Sequence, residues 1–502
     1  MEDVPSLDYL LFKKIGYFQK LVITFALITL LLNGVHQSAD AILISNIEIQ
    51  CNNKVPVVIS NNSDFCKHGE MNKFCGNGYT FTHASAMHST VISEFLLYCS
   101  KWLSRDAIRT FVMVSLTVGS FCYGIGADMY GRKTMLFVAI WQTVIAGFVS
   151  SLVRNVYIYV IFKMMSNLPI NGITCICVLY VAEVLPDSRR YGILLWFQIV
   201  YGAGIMLCGV ISFLIKNWRP IQLLISLLYL TPFFMLIYIP ESPKWLLAAS
   251  KKVRFIKTVE KIIEWNCLTE FQVSDLNFEK SEHVFSKYEY CYPFMSDVRF
   301  ITNTSFLKHL ISLITIWIIC ALCFYGFRFK TIDISETDIF TNIIISGFMV
   351  CISSPLMYLM FQITQNRITL MKIAFLGLCL VSFLCAMHPY SILLQIGTFF
   401  ATESFLCIYI YTAEYMPTVI RASGLGICAS ISRIGSALAP VLEGVCDSTW
   451  SNLLYIIFAC LASVATMLVI FLPEVNKRGL INSYEEYIAL SNEEKKLLNA
   501  AK

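Results

Sequence analysis

Twelve apolar stretches, each about twenty residues long, constrain this chain more than any other feature of its sequence. An α-helix of about twenty residues crosses the roughly 30 Å hydrocarbon core of a bilayer. Hydrophobic residues make up 57% of the chain and charged residues only 14%, against about a quarter charged in soluble domains. The sequence therefore predicts an all-α membrane protein with twelve transmembrane helices, here called spans 1 to 12. The apolar runs begin near Leu21, Ala107, Thr134, Val156, Tyr191, Ile221, Leu310, Ile339, Thr369, Ser391, Ala422 and Leu453.

Two long polar segments divide these spans into six and six. The predicted order is a cytosolic N-terminus at 1–20, an N-terminal half at 21–239 with an extracellular loop at 46–105, a cytosolic central loop at 240–308, a C-terminal half at 309–472 and a cytosolic tail at 473–502. No small-residue cleavage site follows the first apolar run, which favours a transmembrane helix over a signal peptide. The amphipathic stretch KKVRFIKTVEKIIEW predicts short surface helices in the central loop.

The distribution of positive charge predicts the orientation. With both termini inside, the short inner segments and tails hold eleven Lys and Arg residues, and the short outer loops hold five. The positive-inside rule therefore places both termini in the cytosol. The net charge of +5 mostly reflects the Lys and Arg residues that orient the spans in the membrane, so no nucleic-acid partner is expected. The five residues assigned to outer loops are Arg154, Lys216, Arg219, Arg328 and Lys330.

The first polar segment has the marks of an extracellular cap. It contains Cys51, Cys66, Cys75 and Cys99, together with the glycan acceptor triplet that begins at Asn61. Disulfides persist outside the cell, so we expect two bridges, with all three pairings open. The alternative is a loop with free thiols.

A short motif occurs twice, as YVAEVLPDSRR at 180–190 and as YTAEYMPTVIR at 411–421. One copy ends span 4 and the other ends span 10, and spans 6 and 12 both end in Pro-Glu. Parallel six-helix repeats of this kind are typical of transporters that alternate access to a central site. The motif therefore predicts a charged gate, although such residues also anchor helix ends at the membrane interface. The predicted gate residues, two of them from the loop after span 2, are Asp128, Arg132, Glu183, Arg190, Glu414 and Arg421.

Polar residues recur four apart within several spans, which places them on one helical face. A charge near the bilayer centre costs roughly 2.5 to 3.5 kcal/mol, so we expect these side chains to face a cavity or each other. The alternative is that they join helices by hydrogen bonds. Glu403 and Arg433 lie deepest and could pair with each other. The predicted substrate-binding residues are Asn33, Gln37, Lys163, Asn167, Asn171, Tyr325, Glu403 and Arg433.

Several motifs resemble known transporters. GIGADMYGRKTML at 124–136 is similar to the major facilitator loop signature, although Met129 replaces a basic residue. PESPKWLL, YTAEYMPTVIRASGLG and the long cysteine-bearing loop resemble solute carrier family 22, the organic cation, carnitine and organic anion transporters. The resemblance implies a major facilitator fold in the plasma membrane, with spans 1, 4, 7 and 10 around a central cavity. It implies no enzymatic activity and no cofactor.

The resemblance also bears on the substrate, a small organic ion. Arg433 stands where cation-selective relatives carry Asp and where anion-type and carnitine-type relatives carry Arg. Met357 stands where anion-type relatives tend to carry Lys. Zwitterionic, carnitine-like substrates are therefore favoured, with organic anion transport as the alternative. A non-transporting receptor or scaffold is the alternative from another class, and the coupling ion is left open.

The topology predicts one glycan on the cap. Enzymatic deglycosylation should shift the mobility of the protein on a gel, and Asn61→Gln should abolish that shift. The matched control is Asn303→Gln, which removes the acceptor triplet of the central loop and should leave the shift unchanged, because glycans are added only outside. A shift that survives in Asn61→Gln would place a different loop outside.

Overall fold

Twelve long apolar helices of the described residues are the frame of this computed structural model, which confirms the predicted all-α membrane architecture. The structure describes residues 15–45, 48–51, 58–59, 79–82, 87–95, 97, 103–185, 187–249, 251–267, 304–333, 338–364, 366–416, 421–450 and 452–474. Spans 1 to 12 are Tyr17–Leu43, Arg105–Tyr130, Arg132–Leu152, Val156–Val184, Asp187–Ile215, the helix pair Trp218–Leu228 and Leu230–Tyr238, Thr304–Asp333, Ile339–Thr364, Arg367–Met387, Ser391–Tyr415, Arg421–Thr449 and Leu453–Ile470.

Polar residues beside the apolar runs determine where several spans begin. The side chains of Ser104, Asn155 and Asn366 accept hydrogen bonds from the first backbone N–H groups of spans 2, 4 and 9. Such caps satisfy donors that a helix leaves unpaired at its N-terminus. Spans 2 and 3 meet at Gly131, whose φ of 109° is a conformation that glycine adopts readily.

A small antiparallel sheet lies between spans 1 and 2, in the order β2-β1-β3. Its strands are β1 (Glu48–Cys51), β2 (Val58–Ile59) and β3 (Tyr79–Thr82), and a short helix, Val91–Glu94, follows. We call the end of the bundle that carries this segment the cap face, and the opposite end, where the two motif copies lie, the motif face. Asn61, Cys66, Cys75, Cys99 and the side chain of Cys51 fall outside the described residues, so the glycan and the disulfides stay predictions.

Glu94 fastens the cap segment to the start of span 6. Its carboxylate accepts hydrogen bonds from Trp218 at 2.6 Å and from Arg219 at 2.5 Å. Partial burial by itself raises the pKa of Glu94, but these hydrogen bonds and the charge of Arg219 outweigh it, and the pKa lies below its usual value. A lowered pKa means that the contact persists at neutral pH and is lost as the pH falls through that value.

Helices of the central segment lie against the N-terminal half. They are Pro243–Ala248 and Lys252–Trp265, and the second is formed by the amphipathic stretch. Its buried face carries Phe255, Val259 and Ile262. Asn266, just after it, accepts a hydrogen bond from the backbone of Phe18 at 3.0 Å. This helix is therefore docked on the start of span 1.

The two six-helix halves touch through spans 5 and 8 and through spans 2 and 11. Small residues permit the close approach, since a Cβ on Gly202 would lie 2.9 Å from the carbonyl oxygen of Gly347. Towards the motif face, a Cβ on Gly124 of span 2 or on Gly426 of span 11 would meet nothing within 4 Å. The halves therefore pack closely near the middle of span 5, and Gly124 and Gly426 have open space beside them towards the motif face.

The assignment of Arg328 and Lys330 to an outer loop is wrong. Span 7 runs to Asp333, so both residues are helical, and Arg328 is only 5% exposed. Apolar neighbours such as Phe327 and Phe329 extend the hydrophobic run past the two charges.

The crossing of spans 1 and 5 generates a stability prediction. A Cβ on Gly204 would collide with the backbone of Leu31, and one on Gly34 with the backbone of Tyr201. Because backbone cannot yield as a side chain does, we expect Gly204→Ala to destabilise the detergent-solubilised protein by about 1 to 3 kcal/mol. The control is Gly426→Ala, also helical but facing open space, which should be neutral or slightly stabilising. Equal melting temperatures for the two variants would contradict the close approach of spans 1 and 5.

Candidate functional site

The repeated motif has the same ion pair in both halves. Arg132, the first residue of span 3, lies 2.9 Å from Glu183 in the last turn of span 4. Arg367, the first residue of span 9, lies 2.6 Å from Glu414 in the last turn of span 10. The motif glutamates therefore bind the start of the preceding span. The side chains of Arg190 and Arg421 lie outside the described residues.

The tyrosine of each motif copy also has one repeated contact. Tyr180 donates its hydroxyl hydrogen bond to the carbonyl oxygen of Pro240 at 2.5 Å. Tyr411 donates to the carbonyl oxygen of Pro473 at 2.7 Å. These prolines end spans 6 and 12, so the motif ties three span ends together in each half. The same contact between the motif and a span end therefore occurs in both halves.

The N-terminal copy has further polar contacts on the motif face. Asp128 lies 3.0 Å from Arg132, and Ser242 donates a short hydrogen bond to Glu183. Glu241 accepts from the backbone N–H of Lys133 at 3.0 Å. All of these contacts lie within the N-terminal half and its connecting segment. Arg367 was not among the predicted gate residues, although it starts span 9 as Arg132 starts span 3.

Lys163 belongs to a buried ion pair. Its Nζ lies 2.5 Å from Asp40 of span 1 and donates to Gln222 of span 6 at 2.7 Å. Asn167 donates to the carbonyl oxygen of Lys163 at 3.1 Å. Both members belong to the N-terminal half, and Lys163 is only 1% exposed. Its charges are neutralised inside that half.

Asn33 joins three spans of the N-terminal half. It accepts a hydrogen bond from Tyr229 at 2.6 Å and donates to Thr174 at 2.8 Å. Asn171 donates to the carbonyl oxygen of Leu116 in span 2 at 3.3 Å. These bonds match the alternative in which the asparagines hold helices together.

Gln37 takes part in a network that crosses between the halves. Tyr201 of span 5 donates to Gln37 at 2.8 Å, and Arg328 of span 7 donates to the Tyr201 hydroxyl at 3.0 Å. Arg328 also donates to Ser38 of span 1 at 2.6 Å. Together with Tyr325, Gln37 and Arg328 line a small closed cavity on the cap side.

Arg433 and Glu403 do not form an ion pair with each other in the part of the chain that the structure describes. Arg433 of span 11 is partly buried and donates to the hydroxyl of Tyr325 at 2.9 Å. Glu403 of span 10 is 7% exposed, and its Oε1 accepts no hydrogen bond from the described residues. Within those residues, Arg433 has only a neutral hydrogen-bond partner, and no cationic side chain is bound to the Glu403 carboxyl.

A second ion cluster bridges the halves nearer the cap face. Arg109 of span 2 lies 3.6 Å from Glu443 of span 11, and Lys330 of span 7 lies 3.5 Å from the same carboxylate. Arg109 and Glu443 are both almost fully buried. We call these three residues the cap latch. No sequence pattern pointed to it, because its members come from three distant spans.

Comparisons with known proteins identify the family to which the chain belongs. Residues 73–487 match the family model described as "Sugar (and other) transporter". The chain is 25% identical to "Solute carrier family 22 member 6-A" of Xenopus laevis, over 82% of this chain and 74% of that protein. It is 27% identical to "Organic cation/carnitine transporter 2" of Homo sapiens, over 80% and 72%.

Solved structures share the fold. The inward open conformation of the xylose transporter XylE from E. coli matches with a TM-score of 0.61 and 14% identity, over 94% of this chain and 100% of that one. The human organic anion transporter MFSD10 matches with a TM-score of 0.56 and 11% identity, over 90% and 99%. The chain therefore belongs to the sugar (and other) transporter family, as a multi-pass major facilitator transporter of the solute carrier family 22 type.

Proposed function

We propose that the chain moves small organic ions that carry a carboxylate or a similar anionic group across the plasma membrane by alternating access. The observation that carries this proposal is Arg433, a mid-membrane arginine whose only hydrogen-bond partner among the described side chains is the neutral hydroxyl of Tyr325. A mid-membrane charge costs roughly 2.5 to 3.5 kcal/mol or more. The anionic group of a substrate would offset that cost. In this proposal the cap face is extracellular and both termini are cytosolic.

Two substrate classes fit an anion-binding Arg433. The zwitterionic, carnitine-like class, in line with the name of the human relative, needs an acidic group for the substrate's cation. Glu403 is the candidate for that role, because its Oε1 is buried and accepts no hydrogen bond from the described residues. The organic anion class needs no such group. Both classes place the carboxylate at Arg433, while Asn33, Lys163, Asn167 and Asn171 have a structural role.

The motif-face charges form the proposed inner gate. In the conformation described here each half has its own Arg-Glu pair on that side. We propose that Asp128, Arg132, Glu183 and Glu414, together with Arg190 and Arg421, hold the halves together when the motif face closes. Networks of ion pairs suit such a switch, since single exposed pairs contribute only about 1 kcal/mol or less.

An uptake screen in cells tests this proposal with three compounds side by side. They are carnitine, a quaternary ammonium that has no carboxylate, and an aromatic carboxylate. We expect uptake of the carboxylated compounds and not of the quaternary ammonium. Arg433→Gln should reduce that uptake at least about tenfold per surface molecule, because a hydrogen bond to a charged group contributes roughly 1.5 to 3 kcal/mol.

The double variant Arg433→Met with Glu403→Gln is the matched control for a purely electrostatic balance. If the two charges only neutralise each other at a distance, removing both should restore folding and uptake. We expect restored surface expression without restored uptake. Full recovery of carboxylate uptake in the double variant would refute the binding role of Arg433.

A further inference from the structure

Two lysines lie side by side at the end of span 6, on the motif face. Lys133 of span 3 donates from its Nζ to the carbonyl oxygen of Ile237 at 3.1 Å. Lys261 of the helix Lys252–Trp265, here called the central helix, donates to the carbonyl oxygen of the next residue, Tyr238, at 3.4 Å. The last carbonyl groups of a helix have no partner within it, so both ammonium groups cap span 6. Two positive charges are thereby held at neighbouring carbonyl groups.

No carboxylate neutralises these two lysines among the residues that the structure describes. Neither Lys133 nor Lys261 forms an ion pair there. Glu241 is the nearest acidic residue to Lys133, but its carboxylate accepts hydrogen bonds from the backbone N–H groups of Lys133 and Ser242. Like charges at close range repel each other, so an anion that contacts both ammonium groups would be stabilised.

The central helix extends this positive charge along its exposed side. Arg254, Lys257 and Lys261 recur at intervals of three and four residues, which places them on one helical face. All three side chains are exposed. Glu260 and Glu264 lie further round the helix and form no ion pair with them in the described part of the chain. The four residues here called the basic stripe are Lys133, Arg254, Lys257 and Lys261.

The basic stripe lies where the bundle meets the membrane surface. One turn deeper, Phe137 of span 3 and Phe234 of span 6 are 40% and 57% exposed, which in a transmembrane helix means exposed to lipid. Both rings contact Phe233, at centroid distances of 4.8 and 5.7 Å, so they form one apolar wall. At the level of the stripe, Trp265 packs against the exposed Tyr17 with ring centroids 6.0 Å apart. Trp and Tyr are the residues typical of the membrane interface.

We propose that the basic stripe binds the headgroup of an anionic phospholipid from the leaflet at the motif face, with the acyl chains along the apolar wall. This inference goes beyond the proposed function and does not depend on Arg433. In the proposed orientation that leaflet is the cytosolic one, which carries the anionic lipids of a plasma membrane. A lipid phosphate between Lys133 and Lys261 would hold the central helix against spans 3 and 6.

The repeat shows that the gate contacts do not need a lysine at this position. Arg132 and Arg367 begin spans 3 and 9 and form equivalent ion pairs. The next residue is Lys133 in one half and Ile368 in the other. The lysine is therefore a feature of the N-terminal half alone, as is its contact with the end of span 6.

A binding experiment separates a lipid site from two lysines that only cap span 6. Purified protein in a neutral detergent is titrated with short-chain phosphatidylcholine, phosphatidylserine and phosphatidylinositol bisphosphate, and native mass spectrometry counts the bound lipids. The variants are Lys133→Gln, Lys261→Gln and the double variant. A glutamine amide can still donate to the carbonyl groups of span 6, so these variants remove the charge and keep the cap.

The matched control is Lys252→Gln. It removes the same charge from the same helix, but Lys252 lies nine residues before Lys261. Nine residues are about two and a half turns of an α-helix, so the two side chains leave the helix on opposite sides. Lys252 is exposed, as Lys261 is.

We expect the parent chain to bind the bisphosphate lipid most tightly and phosphatidylcholine most weakly, because the stripe responds to headgroup charge. Each single stripe variant should weaken binding of the bisphosphate lipid about fivefold, and the double variant about thirtyfold, the effect of one and two cations at an anionic surface. Lys252→Gln should leave the affinity nearly unchanged.

Four results would overturn the inference. The first is equal binding of the three lipids by the parent chain, a comparison that needs no variant to fold. The second is unchanged binding in the double variant. The third is a loss in Lys252→Gln as large as in Lys261→Gln, which would reduce the stripe to diffuse surface charge. The last is binding of free inositol phosphate as tightly as the lipid, which would make the ligand a soluble anion.

Discussion

A charge inside a membrane protein needs a partner, and this constraint organises the interior of the bundle. A lone charge in hydrocarbon is costly, and breaking one side of a buried pair costs about 3 to 5 kcal/mol. Lys163 meets Asp40 within one half, and the cap latch joins Arg109, Glu443 and Lys330 across both halves. Among the described side chains, Arg328 and Arg433 have only neutral hydroxyl partners. The paired charges hold the structure together, and Arg433, which has no acidic partner among the described side chains, is where we propose that the anionic group of a substrate binds.

The cap face and the motif face of the bundle differ in whether their ion pairs join the two halves. The latch holds the halves together on the cap side, and the packed glycines of spans 5 and 8 do so nearer the middle of the bundle. On the motif side each half has its own Arg-Glu pair, so these two pairs do not depend on contact between the halves. Alternating access then exchanges one set of contacts for the other.

The sequence predicts the fold well because span number depends on local hydrophobicity alone. The motif copies also predicted that the two halves have the same arrangement of helices. The Arg132–Glu183 and Arg367–Glu414 ion pairs are equivalent contacts in the two halves. Arg328 was misplaced because a charge at the end of an apolar run resembles the start of a loop. The pairing of Lys163 with Asp40, and the latch, were not predictable, since they depend on which faces of distant spans meet.

The accessibility of the space beneath the cap latch tests alternating access most directly. Ala41 lines the closed cavity there and is 3% exposed. In a chain carrying Ala41→Cys, a membrane-impermeant thiol reagent added outside should react slowly, and the parent without that cysteine gives the background. Adding Glu443→Gln leaves Arg109 and Lys330 facing each other, so labelling should become at least about tenfold faster as the cap side opens. Equal labelling rates with and without Glu443→Gln, at equal surface expression, would contradict the account.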